Sequence, residues 1–202
     1  MPTILILYPH EFRCYSKLRR KVSGITSRLS DATLVCPSDP YGYNKSLVGE
    51  VDAFTTLCLE PYWKDNLQIT HAIVFDDGEE FHDEIVALRE AGIILRTVRI
   101  KITRVINIKQ SPNQTLELNP ENYEYIGRGS YWGNPYSMYD EGESREEVIR
   151  KFKYDFDFDK FPNKEKRLVH GLAGKRLGCF CKPEKCHGDV IADYLNSWDD
   201  GK

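Results

Sequence analysis

Short apolar runs alternate with segments of helical spacing over residues 1–100, and this alternation constrains the fold more than any other feature of the chain. The pattern predicts strands at residues 4–7, 33–36, 71–75 and 93–98, and helices at residues 15–29, 46–59 and 79–91. Strands that alternate with helices form right-handed crossovers and a parallel sheet. The sequence therefore predicts an α/β fold class, with a Rossmann-like parallel sheet and flanking helices in the N-terminal half.

The second half carries its own, shorter set of predicted elements. Strands are expected at residues 123–127 and 176–180, and helices at residues 144–156 and 188–198, the first capped by Ser144. A polar, proline-containing stretch within residues 101–122 is the best candidate for a domain boundary. We expect a Rossmann-like domain over residues 1–104 and, packed against it, a small α/β segment over residues 105–202 that carries the functional site.

Composition narrows the class of protein. Hydrophobic residues make up 41% of the chain and charged residues 29%, enough apolar material for a packed core, and the formal net charge of −3 argues against coating of nucleic acid by the whole surface. No apolar run reaches the ~18 residues of a membrane span, and the first residues lack the features of a signal peptide. We expect a soluble, cytoplasmic protein with no membrane partner and with reduced cysteines.

The first block that can carry chemistry reads Gly-Arg-Gly-Ser-Tyr-Trp-Gly-Asn-Pro at residues 127–135. Its glycines allow tight turns and a close approach of the backbone to a ligand. The Arg128 guanidinium offers paired donors for a phosphate or carboxylate. The Trp132 ring offers a flat face for a base or sugar, unless it folds into the core. The predicted ligand-binding residues are Arg128, Gly129, Ser130, Trp132, Gly133 and Asn134.

The second block spans residues 177–189 and passes from a predicted strand through a short loop into a predicted helix. A helix N-terminus attracts anions and lowers the pKa of a cysteine placed there, so Cys186 is a candidate catalytic thiolate. His187 is a candidate acid or base, and Asp189 can cap the helix or act as a base. Lysine and arginine outnumber glutamate between Lys160 and His187, which favours an anionic ligand.

A metal site is the competing interpretation of the same block. No cofactor is certain from the block, and zinc is the possible one, since Cys179, Cys181, Cys186 and His187 are ligands of the types that it prefers. Side chains two positions apart on a strand share a face, so Cys179 and Cys181 can reach one ion. The spacing C-x-C-x4-C-H nevertheless differs from that of regular zinc fingers. Three interpretations stay open at this point: a zinc ion, a phosphate-binding or catalytic thiol, and buried structural cysteines.

Together the two blocks resemble an uncharacterised family of prokaryotic and phage proteins, the domain of unknown function DUF4326. The shared pattern consists of G-R-G-S-x-W-G-N-P, a charged amphipathic helix and L-x-C-x-C-x4-C-H-G-D-V, here at residues 127–135, 144–156 and 177–191. The resemblance implies a recurring binding or catalytic site built from both blocks, and an origin in a phage or mobile element. It implies no particular reaction.

The N-terminal half resembles the nucleotide-binding Rossmannoids that include nucleoside deoxyribosyltransferases and the cytokinin-activating lonely guy proteins. The resemblance lies in a strand, turn and helix that end in Ala-Gly-Ile-Ile-Leu at residues 91–95. Where lonely guy proteins carry a glycine-rich phosphate loop, this chain reads Asp-Asp-Gly-Glu-Glu-Phe at residues 76–81, whose carboxylates would repel a phosphate. The resemblance therefore implies a nucleotide-type fold without its usual phosphate site in this half.

One preferred function and two alternatives follow. The preferred function is binding of a nucleotide, nucleoside or nucleic-acid phosphate, and the Rossmannoid resemblance implies cleavage or transfer at an N-glycosidic bond for an enzyme of this kind. In that enzyme Arg128 would hold phosphate, while Cys186, His187 or Asp189 would supply the nucleophile or base. The alternatives are a non-catalytic phage factor that binds a host protein or a signalling nucleotide, and a zinc-stabilised interaction module.

Overall fold

The computed structural model describes residues 1–65, 68–109, 121–138, 142–161 and 164–201. The chain forms two compact units, one of Met1–Ile100 with Asp199–Lys202 and one of Lys101–Trp198. The polar stretch that the sequence predicts as a boundary falls mainly on residues 110–120, outside the described residues, so the domain limits at residues 104 and 105 stay a prediction. None of the helices formed by the described residues has the length and apolar character needed to cross a membrane.

The first unit is built on a five-stranded parallel sheet in the order β3-β2-β1-β4-β5. Its strands are β1 (Thr3–Leu7), β2 (Ala32–Cys36), β3 (Phe54–Leu59), β4 (His71–Asp76) and β5 (Ile94–Arg99). Its helices are α1 (Tyr15–Thr26), α2 (Tyr43–Glu50) and α3 (His82–Glu90), with a 3-10 turn at Trp63–Asp65. The predicted α/β class, a parallel sheet with flanking helices, is confirmed.

Burial explains which apolar runs form strands. Leu5 in β1, Leu34 in β2 and Val74 in β4 are completely buried, as expected for central strands of a parallel sheet that is covered on both faces. The edge strand β5 instead exposes much of its length to solvent. Helix α1 buries Leu18 and Val22, which lie four residues apart on one helical face. The core of this unit thus follows from two patterns in the sequence, the apolar runs of the strands and the helical spacing of apolar residues.

The predicted helix over residues 46–59 is wrong. The Asp39 carboxylate accepts the backbone N–H groups of Asn44 at 3.0 Å and Lys45 at 2.9 Å, so α2 begins before the predicted cap, Ser46. The helix ends at Glu50, and the following residues form β3, which pairs in parallel along β2. The phenylalanine and threonines of β3 favour a strand, and pairing with β2 outweighs the weak helical pattern.

The turn after β4 uses its carboxylates for its own hydrogen bonds. Asp76 accepts the N–H of Gly78 and a guanidinium N–H of Arg99, both at 2.7 Å, and Asp77 accepts the N–H of Glu79 at 2.9 Å. This turn lies where the strand order reverses between β1 and β4, the usual ligand crevice of a doubly wound sheet. The crevice therefore has carboxylates on this turn, in agreement with the missing glycine-rich loop.

The second unit is built on a three-stranded parallel sheet in the order β6-β8-β7. Its elements are β6 (Arg104–Asn107), β7 (Tyr123–Tyr125), α4 (Arg145–Asp157), a 3-10 helix (Lys166–Leu172), β8 (Arg176–Cys179) and α5 (His187–Ser197). The Ser144 hydroxyl caps α4 by accepting the N–H of Glu147 at 3.2 Å, as the sequence predicts. Phe152 and Phe156 of α4 join Ile191 of α5 in the core. The end of β8 and the start of α5 contribute Cys179 and Cys186 to the same core.

Candidate metal centre and ligand cavity

The connection from β8 to α5 places three cysteines close together. β8 ends at Cys179, Cys181 follows in the loop, and Cys186 is the N-cap of α5. The Cys186 sulfur accepts the N–H of Gly188 at 3.4 Å, and the Asp189 carboxylate accepts the N–H of Cys186 at 2.9 Å. This reciprocal pair of hydrogen bonds is a capping box, and it fixes the direction of the Cys186 side chain.

The sulfurs of Cys179 and Cys186 converge with one imidazole nitrogen, and the Cys181 sulfur lies beside that of Cys179. The sulfurs of Cys179 and Cys181 are 3.5 Å apart, and the Cys186 sulfur lies 3.6 Å from Nδ1 of His187. The ligand atoms of Cys179, Cys186 and His187 all lie within 4.8 Å of one another, and all three residues are buried. Tetrahedral zinc with Zn–S bonds of about 2.3 Å holds its sulfurs roughly 3.8 Å apart. The spacing of the described side chains therefore suits one small metal ion.

The orientation of His187 also suits a metal ligand. Its Nε2 lies 2.9 Å from the carbonyl oxygen of Ile126, which can only accept, so the proton is on Nε2. The lone pair of Nδ1 is left facing the Cys186 sulfur. Burial lowers the pKa of His187, which is 5% exposed, and keeps the ring neutral. Metal-binding histidines commonly show this arrangement, with one nitrogen held by a carbonyl and the other free to bind.

The predicted low pKa of the Cys186 thiol is wrong. Hydrogen bonds with Cys179 and Cys181, together with burial, raise the pKa of Cys186 above its ordinary value. The lowered pKa belongs to Cys181, whose thiolate accepts hydrogen bonds from Cys179 and Cys186 and from Arg145. The neighbouring thiols affect the pKa of Cys186 more than the helix N-terminus does. Several buried thiols cannot all carry a negative charge at once without a cation beside them.

A cavity of about 290 Å³, the apolar cavity, lies over the sulfurs and is lined by residues of both sequence blocks. The first block contributes Gly127, Arg128 and Asn134. The second block contributes Phe180, Lys185 and the residues of the Cys/His cluster. Helix α4 adds Arg145, Val148 and Ile149, and the chain before it adds Tyr136 and Met138. The structure thus brings together two segments that are some fifty residues apart in the sequence.

The loop at residues 127–135 uses most of its polar groups to hold its own shape. Ser130 donates to the carbonyl of Gly127 at 2.8 Å. The Asn134 amide donates to the carbonyl of Val148 at 3.2 Å and accepts the N–H of Tyr136 at 3.0 Å. At Gly133 a Cβ atom would lie 2.6 Å from the carbonyl oxygen of Gly127, so only glycine fits. Ser130 therefore stabilises the loop from within, and Asn134 ties the loop to α4.

Trp132 does not provide the stacking surface that the sequence predicts. It is 4% exposed, belongs to the core of the second unit and meets the ring of Tyr131 edge to face at 5.0 Å. The apolar surface of the indole is already covered by the core, so no face is left for a base. Trp132 is instead folded into the core, which is the alternative that the sequence leaves open for it.

A second cavity, the polar cavity, lies along the same loop and has a volume of about 330 Å³. It shares Arg128 and Asn134 with the apolar cavity. Its further lining includes Gly129, Ser130, Gly133, Ser137 and Lys164. Five of the six predicted ligand-binding residues of the first block, all except Trp132, therefore face it.

The Asp189 carboxylate interacts with a backbone N–H group and with a lysine. One carboxylate oxygen caps α5 through Cys186, and the other pairs with the Lys182 ammonium at 2.6 Å. Asp189 is also not among the described residues that line the apolar cavity. The structure thus gives Asp189 the capping position that the sequence predicts and does not bring it to the cavity as a base.

Arg145, Lys185 and Tyr136 line the apolar cavity, although the sequence blocks did not single them out. Arg145 donates to the carbonyl of Lys185 at 3.2 Å and thereby links the start of α4 to the cysteine loop. One sequence signal could have found it: a cation in the first turn of a helix opposes the helix dipole, while Glu146 and Glu147 beside it agree with the dipole. An unfavourable position of this kind indicates another role.

Comparison with known proteins divides the chain near residue 106. Residues 1–106 match the family model of the minimal SLOG domain, and residues 106–197 match the domain of unknown function DUF4326, which confirms the resemblance seen in the two blocks. The uncharacterized 12.4 kDa protein in the nrdA-td intergenic region of Enterobacteria phage T4 is 48% identical over 73 residues. That match covers 35% of this chain and 65% of the phage protein. No solved structure matches the chain.

Proposed function

This chain belongs to the minimal SLOG domain family through its residues 1–106, a Rossmann-like and nucleotide-related fold, and we propose that it is a nucleotide-binding protein whose ligand occupies the apolar cavity of the second unit. One observation carries the proposal: Arg128, Arg145 and Lys185 line a single cavity whose other walls are largely apolar. An anion with a flat, weakly polar body fits that combination.

The walls of the apolar cavity supply the contacts that a base and sugar need. Tyr136 and Phe180 line the cavity with aromatic surface, and Phe180 is half-exposed. Val148 and Ile149 of α4 add aliphatic surface. Aromatic rings stack on any nucleobase, because every base has a π-face. The cavity can therefore hold a base and sugar, while the positive charge of its wall attracts an anionic ligand.

A zinc ion held by Cys179, Cys181, Cys186 and His187 forms the floor of this site in the proposal. Four protein ligands correspond to the closed coordination of structural zinc, which would tie the end of β8 to the start of α5. The Nδ1 of His187, which faces the Cys186 sulfur, and the closely spaced sulfurs support this assignment. Three thiolates outweigh a divalent ion by one charge, and the Arg145 guanidinium beside Cys181 offsets that excess.

Binding is the activity that the geometry supports best. Among the described residues that line the apolar cavity there is no carboxylate, so the cavity offers no acid or base of the kind that glycosidic chemistry uses. His187 is buried and committed to Ile126 and the sulfurs. We therefore propose capture of a nucleotide and not cleavage of its N-glycosidic bond.

A titration of the full-length, metal-loaded protein with the common ribo- and deoxyribonucleoside monophosphates tests this function. We expect at least one to bind with a dissociation constant in the micromolar range and to raise the melting temperature. Lys185→Met should weaken that binding about tenfold, because it removes a cation from the cavity wall.

Lys153→Met is the matched control, since Lys153 is exposed on α4 and pairs with Asp157 at 2.6 Å. It should bind like the wild type. If no nucleotide binds at millimolar concentration, or if both variants lose affinity equally, the proposed function is wrong.

A further inference from the structure

The two cavities of the second unit share a wall but differ in chemistry, and the geometry points to the polar cavity as the subsite for the phosphate of the bound nucleotide. This inference rests on the proposed function and refines it, because it assigns the base and sugar to the apolar cavity and the phosphate to the polar one. Arg128 and Asn134 line both cavities and mark the junction between them.

Lys164 contributes a positive charge to the lining of the polar cavity. Its ammonium donates to the carbonyl of Gly133 at 2.7 Å and lies 5.0 Å from the ring centre of Phe161. The Gly133 carbonyl takes one of three N–H bonds, which leaves the ammonium able to donate to a ligand as well. Partial burial lowers the pKa of Lys164, as expected for a cation that is desolvated beside a loop. An anion in the cavity would restore the lost stabilisation.

Arg128 supplies the second cation of the subsite. It donates to the Ser137 hydroxyl at 3.1 Å, and both residues line the polar cavity. Gly129 follows with a φ of +83°, a conformation that lets the chain turn without a side chain over the cavity. The guanidinium adds a positive charge to the wall of the polar cavity, where it attracts an anion.

The electrostatic balance of the polar cavity distinguishes it from the crevice of the first unit. Its described lining contains Arg128 and Lys164 and no carboxylate. The turn after β4, by contrast, carries Asp76 and Asp77 where related folds bind phosphate. A phosphate is therefore favoured at the polar cavity of the second unit and disfavoured at that turn.

Comparison of a nucleoside with its own 5′-monophosphate tests the inference. For the nucleobase that binds best, we expect the monophosphate to bind wild-type protein at least about tenfold more tightly than the nucleoside. Lys164→Met should remove most of this difference and leave the affinity for the nucleoside within about twofold. Inorganic phosphate should compete with the monophosphate and not with the nucleoside.

Lys166→Met is the control, because Lys166 lies over the rings of Phe156 and Tyr194 and donates to the carbonyl of Asp157, away from the polar cavity. It should keep the full preference for the monophosphate. A nucleoside that binds as well as its monophosphate, or a Lys164→Met protein that weakens for both ligands alike, overturns the phosphate subsite and leaves the proposed function standing. Failure of every nucleoside and nucleotide to bind overturns both.

Discussion

The imidazole of His187 donates its Nε2 proton to the carbonyl oxygen of Ile126 at 2.9 Å, and this one hydrogen bond turns Nδ1 toward the sulfur of Cys186. A buried histidine could equally have presented its N–H to the sulfurs, which would exclude a cation. The observed orientation leaves a lone pair beside the sulfurs of Cys179 and Cys186, with the Cys181 sulfur next to that of Cys179.

Removal of the metal should destabilise the second unit. We expect purified protein to contain one zinc ion per chain, and extraction by a strong chelator to lower the melting temperature by about 5 °C or more, because the ion crosslinks β8 and α5. Cys179→Ser should lose the metal, whereas Cys58→Ser should retain it, since Cys58 lies in β3 of the first unit and is not part of the cluster. Elemental analysis of the three proteins decides the matter, and full zinc content in Cys179→Ser would contradict the assignment.

Replacement of Arg128 by lysine separates a ligand role from a structural one. Lysine keeps the charge and loses the paired donors, so Arg128→Lys should weaken monophosphate binding by roughly 1–3 kcal/mol. The melting temperature of the free protein should hardly change, because Arg128 is exposed. Lost stability with unchanged affinity would show instead that Arg128 supports the loop.

Gly188 should resist substitution for steric reasons. A Cβ atom there would lie 2.4 Å from Cδ1 of Ile126 and 3.1 Å from Cγ2 of Val105. Alanine normally favours a helix over glycine, yet Gly188→Ala should cost about 1–3 kcal/mol of stability because both neighbours are packed. Gly171→Ala, where a Cβ atom meets nothing within 4 Å, should be nearly neutral. Denaturant unfolding of both variants measures the difference, and equal stabilities would show that the core relaxes.

Tyr136 should make stability depend on pH at the alkaline end. Its hydroxyl donates to the Asp155 carboxylate at 2.5 Å, and this hydrogen bond, with burial, raises the pKa of Tyr136 from 10.0 to about 12. Because the folded pKa exceeds the unfolded one, the stabilisation is complete below pH 10 and is lost as the pH rises through 12. The melting temperature of the wild type should therefore fall more steeply over this range than that of Tyr136→Phe. Parallel slopes for the two proteins would refute the coupling.

The sequence was informative where local pattern and packing agree. Buried runs such as that around Leu5 form the predicted strands, and Ser144 forms the predicted cap, because both depend on nearby residues. The spacing of Cys179, Cys181, Cys186 and His187 likewise allowed a common site, since strand geometry and a short loop limit where they can point.

Long-range packing decided what the sequence could not show. The strand β3 exists because β2 offers it a partner, and Trp132 is buried because it joins a core to which α4 and β8 also contribute. Arg145 and Lys164 reach the cavities only through the fold of the second unit, so no local motif marks Lys164. The low pKa of Cys181 depends on neighbours that the chain brings together from both sides of a loop.

The capping box at Cys186 has a consequence for the order of assembly. The hydrogen bonds from Gly188 to the Cys186 sulfur and from Cys186 to Asp189 need no ion, so α5 can start correctly before any metal arrives. His187, as the first residue of that helix, is then already directed at the sulfurs. The conformational entropy of orienting these ligands is therefore lost during folding and not when the ion binds. A preorganised site of this kind favours fast uptake and tight retention of the ion.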